Sequence, residues 1–86
     1  MKYKLSRHAE EELRLRQIPR DLLESVLQNP QQIISERRGK RAYQSQLDFG
    51  GDKMFLLRAI IDDTIDPPVV VTVYRTKKIR KYWRQP

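Results

Sequence analysis

Pro30 separates two kinds of pattern in this chain. Before it, Leu22, Leu23, Val26 and Leu27 recur at helical spacing and share one broad face. After it apolar and polar residues alternate, and turn-forming groups break the alternation at Arg38-Gly39-Lys40, at Gly50-Gly51 and from Asp62 to Pro68. One change of period within 86 residues leaves room for helices, then a sheet, around one modest core. The sequence is therefore read as a single domain, residues 1–86, of the α+β class.

Local signals fill in that outline. Residues 2–5 read as a short strand, and Ser6 offers an N-cap hydroxyl to a helix over residues 7–16. Glu10 with Arg14, and Glu12 with Arg16, are spaced to pair along that helix. Its apolar stripe is narrow, Ala9 and Leu13, so it lies on the surface of something larger. Pro19 suits the first turn of a second helix, Asp21 complements the positive end of its dipole, and Pro30 stops it near Asn29. The alternating segments 31–37, 41–49, 53–61 and 69–75 read as strands, and their short connections make them an antiparallel meander. In the last of these, Val69, Val71 and Val73 are assigned to the core and Val70, Thr72 and Tyr74 to solvent or a ligand. The expected architecture is two N-terminal helices packed on one face of a four- to five-stranded antiparallel sheet. A helix pair covers only one face. The other face needs an occupant.

Charge points to where that occupant binds. The chain carries 18 Lys and Arg against 11 Asp and Glu, a net +7, yet the last twelve residues hold six Lys or Arg and no acid. A local positive field of this kind attracts polyanions, nucleic acid first among them; an acidic membrane surface or an acidic protein partner is the alternative. With no cysteine, disulfides and thiolate metal sites are excluded, and a reducing cytoplasm fits. The opening M-K-Y-K-L-S lacks the apolar stretch of a signal peptide and no apolar run approaches membrane-spanning length, so a cytoplasmic, soluble protein is expected.

Several residues could carry chemistry. His8, the single histidine, shares a helix side with Glu12 and Leu15; an imidazole can take or give a proton, which suits acid or base catalysis on a phosphodiester, and its bland role is an exposed residue near a helix cap. Asp62, Asp63 and Asp66 cluster before Pro67, but Asp and Pro are ordinary turn residues, so no metal and no cofactor is expected. Arg37, Arg38, Lys40 and Arg41 flank a hairpin turn, where charge also protects strand edges. Arg58 interrupts an otherwise apolar strand. A guanidinium there must either meet a carboxylate or open onto a ligand face. In the tail, Ile79, Tyr82 and Trp83 are spaced for one helical turn that pins the segment down, while Tyr82 and Trp83 could equally stack unpaired bases among Arg75, Lys77, Lys78, Arg80 and Lys81.

The ordered set S-R-H-A-E-E-E-L-R-L-R-Q-I-P, D-L-L-E-S-V-L-Q-N-P and V-V-V-T-V-Y-R-T-K-K-I-R-K-Y-W resembles a group of small domains of unknown function marked by S-x-H-A and T-V-Y motifs. That group is similar to part of the RelE/ParE-type toxin superfamily. The resemblance implies a RelE-like fold and the toxin of a type II toxin–antitoxin pair. It further implies a metal-independent endoribonuclease that cleaves messenger RNA, free or on the ribosome, by 2′-hydroxyl attack, and an acidic cognate antitoxin. Carried onto this chain, it makes His8 the acid or base, Lys81 the charge stabiliser and Tyr82 a proton-transfer group or a stacking ring. Thr72 and Tyr74 match its T-V-Y strand; with Arg58, a phosphate-clamp candidate from its strand context, and Arg75, Lys77, Lys78, Arg80 and Trp83 of the basic tail, they are the expected RNA contacts. ParE-like relatives keep the fold without cutting RNA, so the alternative is a non-catalytic module that binds nucleic acid or protein through the same basic surface.

Overall fold

Ser6 ends the first strand and begins the first helix. In a computed structural model, which describes residues 2–85, its hydroxyl accepts from the Ala9 amide at 3.0 Å and donates to the Val71 carbonyl at 2.8 Å. One side chain thus caps helix α1 (Arg7–Leu15) and ties it to the sheet. Strand β1 (Lys4–Leu5) precedes it. Pro19 occupies the N-cap position of α2 (Arg20–Gln28) rather than its first turn, accepting at its carbonyl from Leu22 and Leu23, and Pro30 follows the C-cap Asn29. Glu12 pairs with Arg16 as the spacing predicts, whereas Glu10 reaches Arg20 on α2 at 2.7 Å instead of Arg14. That contact clips the two helices together.

Beyond Pro30 come β2 (Gln32–Ser35), a 3₁₀ turn, β3 (Arg41–Asp48), β4 (Met54–Asp62), β5 (Val69–Thr76) and a four-residue helix α3 (Ile79–Tyr82). The β2–β3 turn places Arg38 and Gly39 at φ 59° and 72°, and the Glu36 amide donates to the Lys40 carbonyl to close it. The strands form one sheet in the order β1-β5-β4-β3-β2. β2 to β5 are the antiparallel meander. The sheet is nevertheless mixed, because β1 runs parallel to β5. Two helices carry the chain from the β1 edge to the β2 edge, so no hairpin fixes the direction of β1.

The helices bury Ala9, Leu13, Leu23, Val26 and Leu27 against Leu57, Ala59, Ile61, Val70 and Val73 on one face of the sheet. Each fully buried Leu or Val contributes about 1.5–3 kcal/mol through apolar area removed from water. The expected valine assignment holds for Val73 but fails for Val70, which is core, and for Val69 and Val71, which are only half-buried. Ile60 pairs with Thr72 and Ile61 with Val70, so Val71 is an extra residue in β5. This bulge reverses the side-chain phase between Val70 and Val73. Among the described residues no helix is long and apolar enough to cross a membrane.

Candidate functional site

The face of the sheet away from α1 and α2 carries Ala42, Gln44, Leu56, Arg58, Ile60, Thr72 and Tyr74, as the register requires. It was expected to be open. Instead the chain's own C-terminal segment covers its centre: Lys77 and Lys78 lead off β5, and α3 folds back across the strands. The amide of Gln44, fully buried on β3, donates to the Tyr82 carbonyl at 3.2 Å and to Gln32 Oε1 at 2.8 Å. Gln32 on β2 in turn holds the Arg84 backbone at both its carbonyl and its amide. The helical turn predicted for Ile79, Tyr82 and Trp83 is present, and polar contacts from two strands seat it.

Beneath it lies Arg58, 2% exposed. Its Nε donates to Gln44 Oε1 at 2.8 Å, Nη1 to the Tyr74 hydroxyl at 2.5 Å and Nη2 to Glu36 Oε2 at 2.7 Å. The Tyr82 ring lies over the guanidinium, its centroid 4.3 Å from Cζ, and Tyr74 is 5.8 Å away on the same basis. The choice left open for Arg58 is thereby made: it meets a carboxylate. A buried guanidinium needs this, because an unpaired charge inside a protein is costly and every one of its N–H groups seeks an acceptor. Among the described residues no buried side-chain nitrogen or oxygen lacks a partner.

The two tyrosines are shifted in opposite directions. Burial pushes the Tyr74 phenol up, against the hydrogen bond and charge of Arg58. The hydrogen bond from Tyr74 holds the Tyr82 phenol below the usual tyrosine value; its slight burial opposes this, and Lys81 and Arg58 reinforce it. Lys81 Nζ is 5.3 Å from the Tyr82 ring centroid, and the rings of Tyr74 and Tyr82 meet edge to face at 6.1 Å. Glu36 remains 27% exposed. A solvent-reached carboxylate, an acidified phenol and two cations therefore share one patch, the combination that proton transfer at a phosphodiester requires.

Not every expected residue joins it. His8 lies on α1, across the sheet from Lys81 and Tyr82; its side chain is 59% exposed and its Nε2 is 4.0 Å from Glu12. The structure does not bring the three together, because a helix that buries Ala9 and Leu13 on one face cannot present its first turn to the other. Thr72 shares the Arg58 face. Lys78 and Arg80 are exposed on the connection and on α3, Trp83 is half-buried at its end, and Arg75 and Lys77 turn to a different surface. Glu36 went unnamed in the sequence. The signal was available: it is the only acid between Glu24 and Asp48, and Arg58 demanded a carboxylate. Of the loop acids, Asp62 accepts from Thr64 and Asp63 pairs with Arg41 at the start of β3. Among the described residues no group of three or more His, Asp or Glu side chains is placed to hold a metal ion.

No curated protein and no solved structure matches the chain. The family described as Domain of unknown function (DUF4258) matches residues 5–75, which takes in both helices and all the strands from Leu5 through most of β5. The chain belongs to that family.

Proposed function

We propose that the protein is a RelE-like toxin, a metal-independent endoribonuclease acting on messenger RNA in the cytoplasm, with its chemistry on the α3 face of the sheet. One observation carries this reading. Tyr82 of the basic-aromatic pair lies over Arg58 with Lys81 beside its ring, and the Glu36 carboxylate is held by the same guanidinium. Glu36 takes the proton from the 2′-hydroxyl as its oxygen attacks the adjacent phosphorus. The bond from phosphorus to the 5′-oxygen breaks, and the Tyr82 phenol delivers a proton to that leaving oxygen. A 2′,3′-cyclic phosphate and a 5′-hydroxyl result. A lowered phenol pKa makes Tyr82 a better acid near neutral pH. Lys81, exposed beside it, stabilises the charge that develops on the phosphorane. Arg58 is too deeply buried to touch the substrate and acts as a positioning residue for Glu36 and Tyr82. An acidic antitoxin would neutralise the six-cation tail.

Purified protein incubated in EDTA with single-stranded RNA, with and without ribosomes, tests this. Cleavage should appear in at least one condition, fall by about 10²–10⁴ in Tyr82→Phe and in Glu36→Gln, and survive in His8→Ala. Undiminished cleavage in both site variants would end the assignment. The burial of Arg58, with all three of its nitrogens occupied within the chain, favours a second reading: a non-catalytic module that binds nucleic acid or protein through the tail. Salt-dependent binding without cleavage in either condition selects it.

A further inference from the structure

Arg75 and Lys77 belong to neither the Arg58 cluster nor α3. Arg75 pairs across the ladder with Leu57, so its side chain emerges on the helix side of the sheet. There its guanidinium lies 4.8 Å from the Phe49 ring centroid and 4.7 Å from that of Phe55, two rings packed edge to face at 5.2 Å. Lys77 Nζ is 5.5 Å from the Phe55 centroid. With Lys53 these cations line a cleft of about 360 Å³, which Gln17 and Pro19 of the α1–α2 connection also line. Among the described residues no acidic one lines it.

This arrangement differs from that of the four arginines the fold pairs with an acid. Arg16, Arg20, Arg41 and Arg58 each have a carboxylate partner. Among the described residues, the side chains of Arg75, Lys53 and Lys77 have no hydrogen bond and no ion pair; Asp48 is committed to the Gly50 amide at 2.7 Å, and Asp52, adjacent to Lys53, does not line the cleft. A guanidinium resting on aromatic faces keeps its planar fork of N–H donors free, the geometry that suits a phosphate. Three like charges converging in one cleft repel one another until an anion enters. The cleft volume lies within the range of about 300–1,000 Å³ usual for ligand sites.

We propose that this cleft binds a backbone phosphate of single-stranded RNA, as a second anchoring point on the side of the sheet opposite Arg58. The choice of RNA rests on the proposed function; the phosphate chemistry does not. Lys77 and Lys78, exposed between β5 and α3, provide a cationic track around the end of the sheet, so one strand can occupy both surfaces.

The probe is a fluorescein-labelled, fully 2′-O-methylated oligoribonucleotide, which binds and cannot be cleaved, followed by anisotropy from low to high salt. Lys53→Gln/Lys77→Gln, both positions exposed, should weaken binding about tenfold and flatten the slope of log K against log salt by about 0.7 for each phosphate that is no longer neutralised. Arg75→Gln should do the same, with melting curves to verify folding. Lys2→Gln/Lys4→Gln removes equal charge elsewhere and should change binding less than twofold. Equal weakening by cleft and control variants, an unchanged slope, or no binding by the wild type would each overturn the cleft. Cleft-dependent binding by a wild type that never cuts RNA would remove the ribonuclease reading alone. Cleavage unaffected by the cleft variants, with unaltered binding, would remove the cleft alone.

Discussion

Glu36→Ala takes away the carboxylate that, among the described residues, faces Arg58, while Gln44 and Tyr74 continue to hold Nε and Nη1 in place. The guanidinium cannot simply swing into water, so its charge stays buried and loses its compensation. Removing one partner of a fully buried pair costs about 3–5 kcal/mol, whereas exposed pairs are worth about 0.2–1 kcal/mol. With Arg58 2% exposed and Glu36 27% exposed, this pair falls between those limits. A hydrogen bond to a charged group, at about 1.5–3 kcal/mol, gives the same scale, so the expected loss is about 2–3 kcal/mol. For a chain of 86 residues the total stability is about 4–13 kcal/mol, and the midpoint should fall by about 10–20 °C. Urea unfolding at neutral pH, followed by Trp83 fluorescence and checked for an unchanged m-value, measures it. Glu36→Gln keeps an acceptor without the charge and should fall midway. A loss under about 0.5 kcal/mol, the range of ordinary surface substitutions, would show that Arg58 finds water or another anion and that the buried-pair reasoning is wrong.

Ser6→Ala removes both the cap of α1 and the tie to Val71, and should cost about 1–2 kcal/mol in the same unfolding assay, more than an isolated cap. If Tyr82 is the acid, cleavage must fall as pH rises through its lowered pKa, because only the neutral phenol donates; Tyr82→Phe should be slow at every pH and lack that alkaline limb. Tyr3, pushed up to about 12 by burial and then by its contact with Glu24, binds its proton more tightly folded than unfolded. The wild type should therefore lose stability between pH 10.0 and about 12, with Tyr3→Phe losing less over that window in pH-dependent unfolding.

The meander was legible because its punctuation is chemical. Arg38-Gly39 and Gly50-Gly51 adopt positive φ, which few residues tolerate, and the segments between them alternate. The bulge was not legible, since Val69-Val70-Val71 offers three equivalent side chains and no phase to read. Nor was the direction of β1, a two-residue strand whose pairing is set by where the helices deliver the chain. For the site, Arg58 stood out as a charge in an apolar strand and Tyr82 as an aromatic in a basic tail. That they meet is a tertiary fact: α3 returns over β4 from 24 residues further along the chain, a distance no local period encodes. His8 lies apart from Lys81 and Tyr82 for the converse reason. A titratable residue near a helix start says what chemistry is available and nothing about which side of the sheet the helix will cover.

Gln44 has neighbours of incompatible kinds. Arg58 offers only donors, while the Tyr82 carbonyl and the Gln32 oxygen offer only acceptors. A carboxylate there would satisfy the guanidinium and turn an oxygen toward two others; an ammonium would do the reverse. Only a side chain with two opposite ends joins them, and in doing so it makes the seating of the C-terminal turn and the solvation of the interior cation a single event. Whatever pulls the tail away must also disturb the arginine.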